Sequence, residues 1–378
     1  MSSLSIYRNK TVLVTGSTGF KGSWLSIWLT SLGANVIGYA LKPKTAQDNF
    51  VAASVESKIT QIYGDIRNAS KLSSLFKRTK PDFAFHLAAQ PLVLDSYKEP
   101  SYTFEANVQG TVNFLEAIRA CPSVRSGVVI TTDKVYDNPE KGRAFKETDP
   151  LGGKDPYSAS KAGAEIVTAS YAHSFFNDPK GPQIASARAG NVIGGGDWAA
   201  NRIVPDCIRA LQAKKAIILR NPLAIRPWQH VLEPLYGYLL LGSALALKNG
   251  ARFSGAWNFG PSQGQMRSVE ELAEAVVKAW GNGSIKIDKP KLKLHEAGML
   301  RLDSSKSGKL LGWAPRLDFM ATVAQTVDEY RQMSVFQGKL FTARQESIRR
   351  YFVSAPCAPL NKKRGIHNRI LRGIGGGT

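Results

Sequence analysis

Short runs of consecutive apolar residues punctuate the first 190 positions, and between them apolar residues return every three or four places. The runs TVLVT (11–15), ANVIGYA (34–40), ITQIYG (59–64), DFAFHLA (82–88), SGVVITT (126–132) and QIASAR (183–188) are near-continuous rather than alternating. That pattern predicts strands buried on both faces. The intervening segments 20–32, 70–78, 101–120 and 157–175 predict helices. Strand and helix in alternation define an α/β fold built on a doubly wound parallel sheet, whose ligands bind at the carboxyl ends of the strands.

Past residue 190 the alternation loosens. Helical periodicity returns at 201–213, 231–248, 268–280 and 318–333, separated by short apolar runs near 216–219, 256–259 and 299–302. We expect a sheet domain over 1–190, a smaller mixed α/β substrate lobe over 191–334 with segments interleaved with the first domain, and a basic extension over 335–378. The final stretch, NKKRGIHNRILRGIGGGT, is basic and glycine-rich and predicts a disordered, dispensable tail.

The chain's 378 residues suffice for a sizeable core. Its beginning, MSSLSIYRNK, lacks the apolar core of a secretory signal, and LYGYLLLGSALAL (235–247) is too short to span a bilayer. Cys121, Cys207 and Cys357 are odd in number and far apart, and the five histidines have no ligand spacing. A cytoplasmic protein with no metal site and no membrane span is the expectation. The net charge of +21 invites nucleic acid as a partner, but residues 331–378 contribute ten basic side chains against the single acid Glu346. No nucleic-acid motif with interleaved aromatics accompanies the charge, so none is expected as a partner; a small phosphorylated ligand is anionic too.

VLVTGSTGFKGSWL sets Gly16, Gly19 and Gly22 between the first strand and the first helix. Glycines there allow a tight turn, close approach to a pyrophosphate and close helix–sheet packing, which predicts a dinucleotide site of the Rossmann kind. The acid expected about 20 residues on, to hold the adenosine ribose, is missing. The second strand ends in Ala40-Leu41-Lys42, where Lys42 is either a surface lysine or a residue that tolerates a 2′-phosphate. Asp65 in GDIRN either meets the adenine or caps a turn.

Two further motifs carry chemistry. TTDKVYDN puts Asp133 and Lys134 side by side at the end of the fifth strand, as a solvated turn or as an acid–base pair. DPYSASK puts Tyr157 and Lys161 four residues apart, on one helical face. A phenol titrating at about 10 needs a nearby cation to act as a base at neutral pH.

Taken with TGSTGFKGSWLSIWL, HLAAQPLV, DPLGGKDPYSASK, SARAGNVIGGGDW, NPLAIRPWQHVLEPL, WNFGP and HEA, these motifs resemble the extended short-chain dehydrogenase/reductase superfamily over residues 8–330, and within it the nucleotide-sugar 4,6-dehydratases. Lys134 and the RPWQHVLEPL segment point to CDP-glucose as the substrate. The resemblance implies NAD as cofactor, contacted by Gly16, Thr18, Gly19, Phe20, Gly22, Lys42, Asp65, Ile66, Leu87, Ala88 and Ala89 together with Tyr157 and Lys161. It implies catalysis by Thr132, Asp133, Lys134, Tyr157 and Lys161, with Tyr157 as the base at the sugar O4, Asp133 as acid at C6 and Lys134 as base at C5. Asn191, Arg226, His230 and His295 are the implied substrate contacts. Arg226 reads as a diphosphate clamp or a structural ion pair, and each histidine as a nucleotide contact or a packed residue. Helices 101–120 and 157–175 resemble those that form a homodimer interface in relatives. The rival readings are another nucleotide-sugar dehydratase or epimerase, and a non-catalytic dinucleotide-binding regulator.

Overall fold

The computed structural model describes residues 2–139, 142–261, 265–288, 300–335 and 338–353. His295 and the glycine-rich tail lie outside the described residues. The strands β1 (Thr11–Thr15), β2 (Asn35–Ala40), β3 (Thr60–Tyr63), β4 (Phe83–His86), β5 (Ser126–Ile130) and β6 (Gln183–Arg188) fall within two residues of the predicted runs. After a two-residue β7 (Val192–Ile193) come β8 (Ile217–Leu219), β9 (Ile225–Pro227), β10 (Gln229–His230), β11 (Gly255–Asn258), β12 (Met266–Ser268) and β13 (Ile285–Ile287). The central sheet has seven strands in the order β11-β6-β5-β4-β1-β2-β3, every pair parallel. The order reverses between β1 and β4, so a ligand crevice opens at their carboxyl ends.

Both faces of this sheet are buried. Val12, Val14, Phe83, Phe85, Val128 and Ile130 join one core, while Leu13, Ala84, Val129 and Ile184 join the other. The pleat thus sorts an apparently uniform apolar run into two alternating sets. On the second face lie α3 (Ala69–Thr79), α6 (Gly110–Arg119) and α7 (Pro156–Phe175). On the first lie α1 (Phe20–Ser31), α9 (Leu232–Leu245) and α13 (Leu340–Val353). The short α2 (Asn49–Ala52), α4 (Val93–Lys98) and α5 (Pro100–Phe104) are connecting elements. The smaller lobe takes α8 (Ile203–Gln212), α10 (Val269–Trp280) and α12 (Phe319–Val335) around a core of its own, and α11 (Ser305–Leu311) packs beside β11.

Four local readings change. The continuous helix expected at 101–120 is α5 and α6 joined by a π-helical turn over Glu105–Gln109. Asn107 sits in that turn, exchanging hydrogen bonds with the Gln90 backbone and donating to Ser160 Oγ at 2.9 Å. The run near 256–259 is β11, the seventh strand of the main sheet beside β6, rather than a strand of the lobe. In place of a strand at 299–302, the described part makes a single bridge from Leu302 to Phe145. The first part of the basic extension is α13, whose Arg344 lies fully buried over the Trp24 ring. Its Tyr351 hydroxyl donates to Glu233 at 2.7 Å. Among the described residues no helix is long and apolar enough to cross a membrane, and no group of three His, Cys, Asp or Glu is placed to hold a metal.

Candidate active site

The glycine loop is shaped by backbone contact. Gly16 has φ +72°, and a Cβ on it would stand 2.6 Å from the Ala88 amide nitrogen and 2.7 Å from the Leu87 carbonyl carbon. A Cβ on Gly22 would stand 2.0 Å from the Gly16 oxygen. Gly19 caps α1 with no side-chain hydrogen bond, and the first turn of α1 contains no acid. Its leading amides therefore face the crevice with a positive helix end behind them. Half-buried Phe20 packs toward Gly194. A cradle that no side chain fills, at an uncapped helix start, fits a dinucleotide diphosphate.

Beneath the loop, Leu87, Ala88 and Ala89 continue from β4 half-buried, with Ala88 N donating to Thr15 Oγ1 at 3.2 Å. At the end of β2, Thr18 Oγ1 donates to the Leu41 carbonyl at 2.9 Å, and exposed Lys42 stands 6.0 Å over the Tyr63 ring. Asp65 is gripped by Arg67 at 2.9 Å, whose other arm holds Glu105 at 2.8 Å. Those Arg67 hydrogen bonds hold the Asp65 carboxyl below its ordinary range. Ile66 packs under Gly110, its carbonyl accepting from Asn113 Nδ2 at 3.0 Å. The structure thus gives Asp65 an arginine partner that the sequence reading did not foresee.

The reaction cluster gathers at the ends of β5 and β6 and at the start of α7. Asp155 caps α7 by accepting from Ser158 N at 2.9 Å, and Pro156 occupies the first helical position. Tyr157 is thereby held in the first turn and Lys161 one turn on. Asp133 is fully buried, accepting from Thr132 Oγ1 at 3.0 Å and from Asn191 Nδ2 at 3.2 Å. A Cβ on Gly190 would stand 1.8 Å from the Asp133 carboxylate, so only glycine leaves room for it. Lys134 Nζ lies 3.7 Å from Asp133 Oδ1 and keeps a quarter of its side chain exposed. A solvated turn would expose both groups; here the acid is fixed and the amine reaches the opening.

Tyr157 and Lys161 differ from the sequence expectation in one respect. Burial pushes the Tyr157 hydroxyl up, against Lys134, a hydrogen bond with Thr132 and Arg202, which all favour the phenolate. Lys161 is buried and donates to the Ile130 carbonyl at 3.1 Å. Burial pushes it down to about 8 while Glu165 pulls it up. Glu165 is itself held by Thr131, by Ser186 Oγ at 2.6 Å and by Arg188 at 2.8 Å. Nearby His86, bonded to Thr15 at 2.8 Å and stacked on Phe114, is driven by burial and Lys161 to about 3 and stays neutral.

On the lobe side, Arg226 of β9 is buried and pairs in register with Arg267 of β12. His230 is not at the opening. It is fully buried, its Nε2 3.1 Å from Glu329 and its Nδ1 accepting from Leu232 N at 3.3 Å. Both ring nitrogens are engaged, as in a packed residue, one of the two readings left open for His230. Three residues near the cluster escaped the sequence reading: Lys21, Tyr238 and Arg202. Lys21 left a trace, as a cation amid the apolar start of α1; Tyr238 follows only from the packing of α9 on the sheet, and Arg202 from the placing of the lobe beside it.

The sequence profile described as GDP-mannose 4,6 dehydratase matches residues 13–326. The chain is 42% identical over 346 residues to the CDP-glucose 4,6-dehydratase of Salmonella typhimurium, covering 90% of this chain and 96% of that one. Among solved structures, the dTDP-glucose 4,6-dehydratase of Streptomyces venezuelae with NAD bound superposes at TM-score 0.73 and 25% identity, over 87% of this chain and 99% of that one. The UDP-glucose 4-epimerase of Thermus thermophilus in complex with NAD gives TM-score 0.73 and 26% identity, over 85% and 99%.

Proposed function

The chain belongs to the GDP-mannose 4,6-dehydratase family, and from that premise we propose that it is an NAD-dependent hydro-lyase converting CDP-D-glucose to CDP-4-keto-6-deoxy-D-glucose. The observation that carries the reading is the Asp133–Lys134 pair, with its acid buried and fixed and its amine 3.7 Å away and partly open. An oxidation at C4 alone needs one base. Removal of water across C5 and C6 needs a second base and an acid, and this pair supplies them beside Tyr157.

When bound, NAD supplies the site that accepts the C4 hydride and returns it to C6. The glycine cradle and the leading amides of α1 hold its diphosphate. Tyr157 takes the proton from the sugar O4, with Thr132 turning its hydroxyl toward the phenolate and Lys134 and Arg202 favouring the charge. Lys161, anchored on the Ile130 carbonyl, orients the cofactor ribose. The 4-keto group acidifies C5–H, and Lys134, once it has passed its own proton to Asp133 across the 3.7 Å pair, takes that one. Protonated Asp133 gives its proton to the departing C6 hydroxyl, so water leaves; Lys134 returns the C5 proton as hydride reaches C6, and the O4 proton held by Tyr157 then restores the charge on Lys134. Arg226 and Arg267 stand side by side across the β9–β12 ribbon, an arrangement that an anionic diphosphate between them stabilises.

The test uses CDP-glucose deuterated at C4. Deuterium should appear at C6 of the product with no net NADH, whereas stoichiometric NADH without a 6-deoxy product would identify a simple dehydrogenase. The Lys134→Met variant should still oxidise C4 and trap the reduced cofactor, at a cost of 10²–10⁴-fold in product formation, roughly the contribution of a general base. Tyr157→Phe should stop the first step as well. Parallel assays with UDP-, GDP- and dTDP-glucose decide the nucleotide.

Two wider readings accompany this one. Helices α5, α6 and α7 pack together and leave Phe104 and Ile166 exposed, which supports a homodimer through that surface; equilibrium sedimentation of Ile166→Glu against the unmodified chain tests it. Cys121 and Cys207 are buried free thiols, which supports a reducing, cytoplasmic setting; fractionation of cells producing the chain tests that.

A further inference from the structure

Lys21 is the second residue of α1, directly after the cradle glycines. From there its side chain leaves the diphosphate end of the crevice and reaches the Tyr238 hydroxyl at 3.5 Å, with Nζ 5.9 Å from the Tyr238 ring centre. Tyr238 is fully buried in α9, and it feels the charges of Tyr157 and Asp133. Lys21 in turn feels Lys161 of α7, Asp133 after β5, and the Arg202–Asp197 pair that precedes α8. The amine therefore spans the interval between the phosphate cradle and the Tyr157–Lys161 cluster. On the reading of the cradle as a dinucleotide site, that interval is where the nicotinamide end of the cofactor lies.

We propose that Lys21 tunes the cofactor's redox preference, its charge disfavouring the oxidised, cationic nicotinamide relative to the reduced, neutral one. The physical reason is direct. The two cofactor forms share their diphosphate and both riboses, so every attraction between an ammonium and those groups is common to both. They differ by one positive charge on the ring, and a neighbouring ammonium distinguishes that charge alone. Lys21 can also shed its proton in the working range. Desolvation, Arg202 and Lys161 push it down to about 7, against Asp133 and Asp197. Below that value Lys21 is charged and oxidised cofactor is penalised; above it the amine is neutral and the penalty lifts. A site whose first step takes hydride from C4 benefits, because an oxidised form that is penalised relative to the reduced one is the stronger hydride acceptor.

The experiment measures the ratio of the dissociation constants of NAD and NADH for the full-length chain, by displacement of NADH fluorescence, between about pH 6 and about pH 7.5, where Lys21 changes charge more than Lys161 does. For the unmodified chain the ratio should fall with rising pH, toward a change on the order of tenfold when the charge is fully lost. Lys21→Met should give a low ratio that no longer varies over this range. Lys21→Arg, which cannot lose its charge, should give a high ratio that does not vary either. A Lys21→Met chain that keeps the original ratio and its pH dependence overturns the proposal. Should that variant not fold, persistence of the pH dependence in Lys21→Arg overturns it instead. An unmodified chain that binds neither form sinks the dinucleotide reading itself, a result distinct from binding both with a pH-independent ratio, which sinks only the role of Lys21.

Discussion

Two glycine-rich turns meet at this site, GSTGFKG at 16–22 and GNVIGGGDW at 190–198, and they are built on different constraints. In the first, the space a Cβ would need is taken by backbone: Gly16 against Ala88 and Leu87, Gly22 against Gly16. In the second it is taken by side chains from distant parts of the chain. Gly190 faces Asp133, Gly194 faces Val231, Gly195 faces Glu329, and Gly196 faces Asn49. A turn made of backbone has the same shape in any sequence that repeats its glycines. A turn made to fit foreign side chains has a shape only when they arrive. The first turn is a motif, the second the meeting point of the sheet, the lobe and α13.

The strongest way to break this comparison is to remove a visitor from the second turn. Glu329 accepts from Gly195 N at 2.8 Å and lies 3.1 Å from His230, fully buried beside Arg344. Burial alone would raise its carboxyl, yet His230, Arg344 and the Gly195 amide hold it below its ordinary value. A depressed carboxylate contributes stability above its unfolded value, and that contribution disappears as pH falls through the lower folded value. Glu329→Gln keeps the shape and removes the charge, leaving buried Arg344 uncompensated at a cost of about 3–5 kcal/mol. Thermal unfolding should show the variant much weakened at neutral pH, with the gap to the unmodified chain closing below about pH 4.5. A gap that is constant with pH would mean that shape, not charge, holds this turn.

The same division explains what the sequence made legible. The strands of the sheet were readable because burial on both faces forces continuous apolar runs, and α7 because DPYSASK contains its own cap. Gly16 and Gly22 therefore sit between β1 and the body of α1, and Tyr157 and Lys161 in the first turns of α7. Asp133 and Asn191 were named separately, but the hydrogen bond between them belongs to the packing of β6 beside β5. His230 stayed between two readings because its partner, Glu329, lies 99 residues away. Asp65 gained Arg67 from two residues on, an alternative that its acid character alone did not reveal. The π-turn around Asn107 has no periodicity signal, since it inserts itself into an otherwise regular helical pattern.

The first turn is predicted to fail differently. Gly22→Ala would bring a methyl within 2.0 Å of the Gly16 oxygen, and neither backbone can yield without moving the cradle. Overpacking of this kind costs roughly 1–3 kcal/mol of stability. Cofactor affinity should fall with it, read as lost NADH fluorescence enhancement in a chain that still unfolds cooperatively. Gly195→Ala makes the contrast sharper, because its methyl meets the Glu329 side chain at 2.4 Å. That variant should weaken the fold while leaving the cradle, and hence cofactor binding at low temperature, nearly intact. Equal loss of cofactor in both variants would erase the distinction.

The smallest expected effect lies at the edge of the first turn, where a side chain rather than backbone sets the outcome. β2 ends beside exposed Lys42, and the acid that usually receives the adenosine ribose hydroxyls is replaced there by a cation. Asp65 is a poor substitute, since Arg67 already holds its carboxylate at 2.9 Å. Lys42→Asp restores an acceptor without touching Gly16 or Gly22, and removes a positive charge at that strand end that would welcome a 2′-phosphate. NAD should bind about fivefold more tightly, the worth of roughly one modest hydrogen bond at an exposed position, and NADP more weakly. Titration of both dinucleotides against both chains measures this. An unmodified chain that prefers NADP, or a variant no tighter for NAD, would mean that the ribose is held elsewhere and that the backbone cradle carries the cofactor without help from the end of β2.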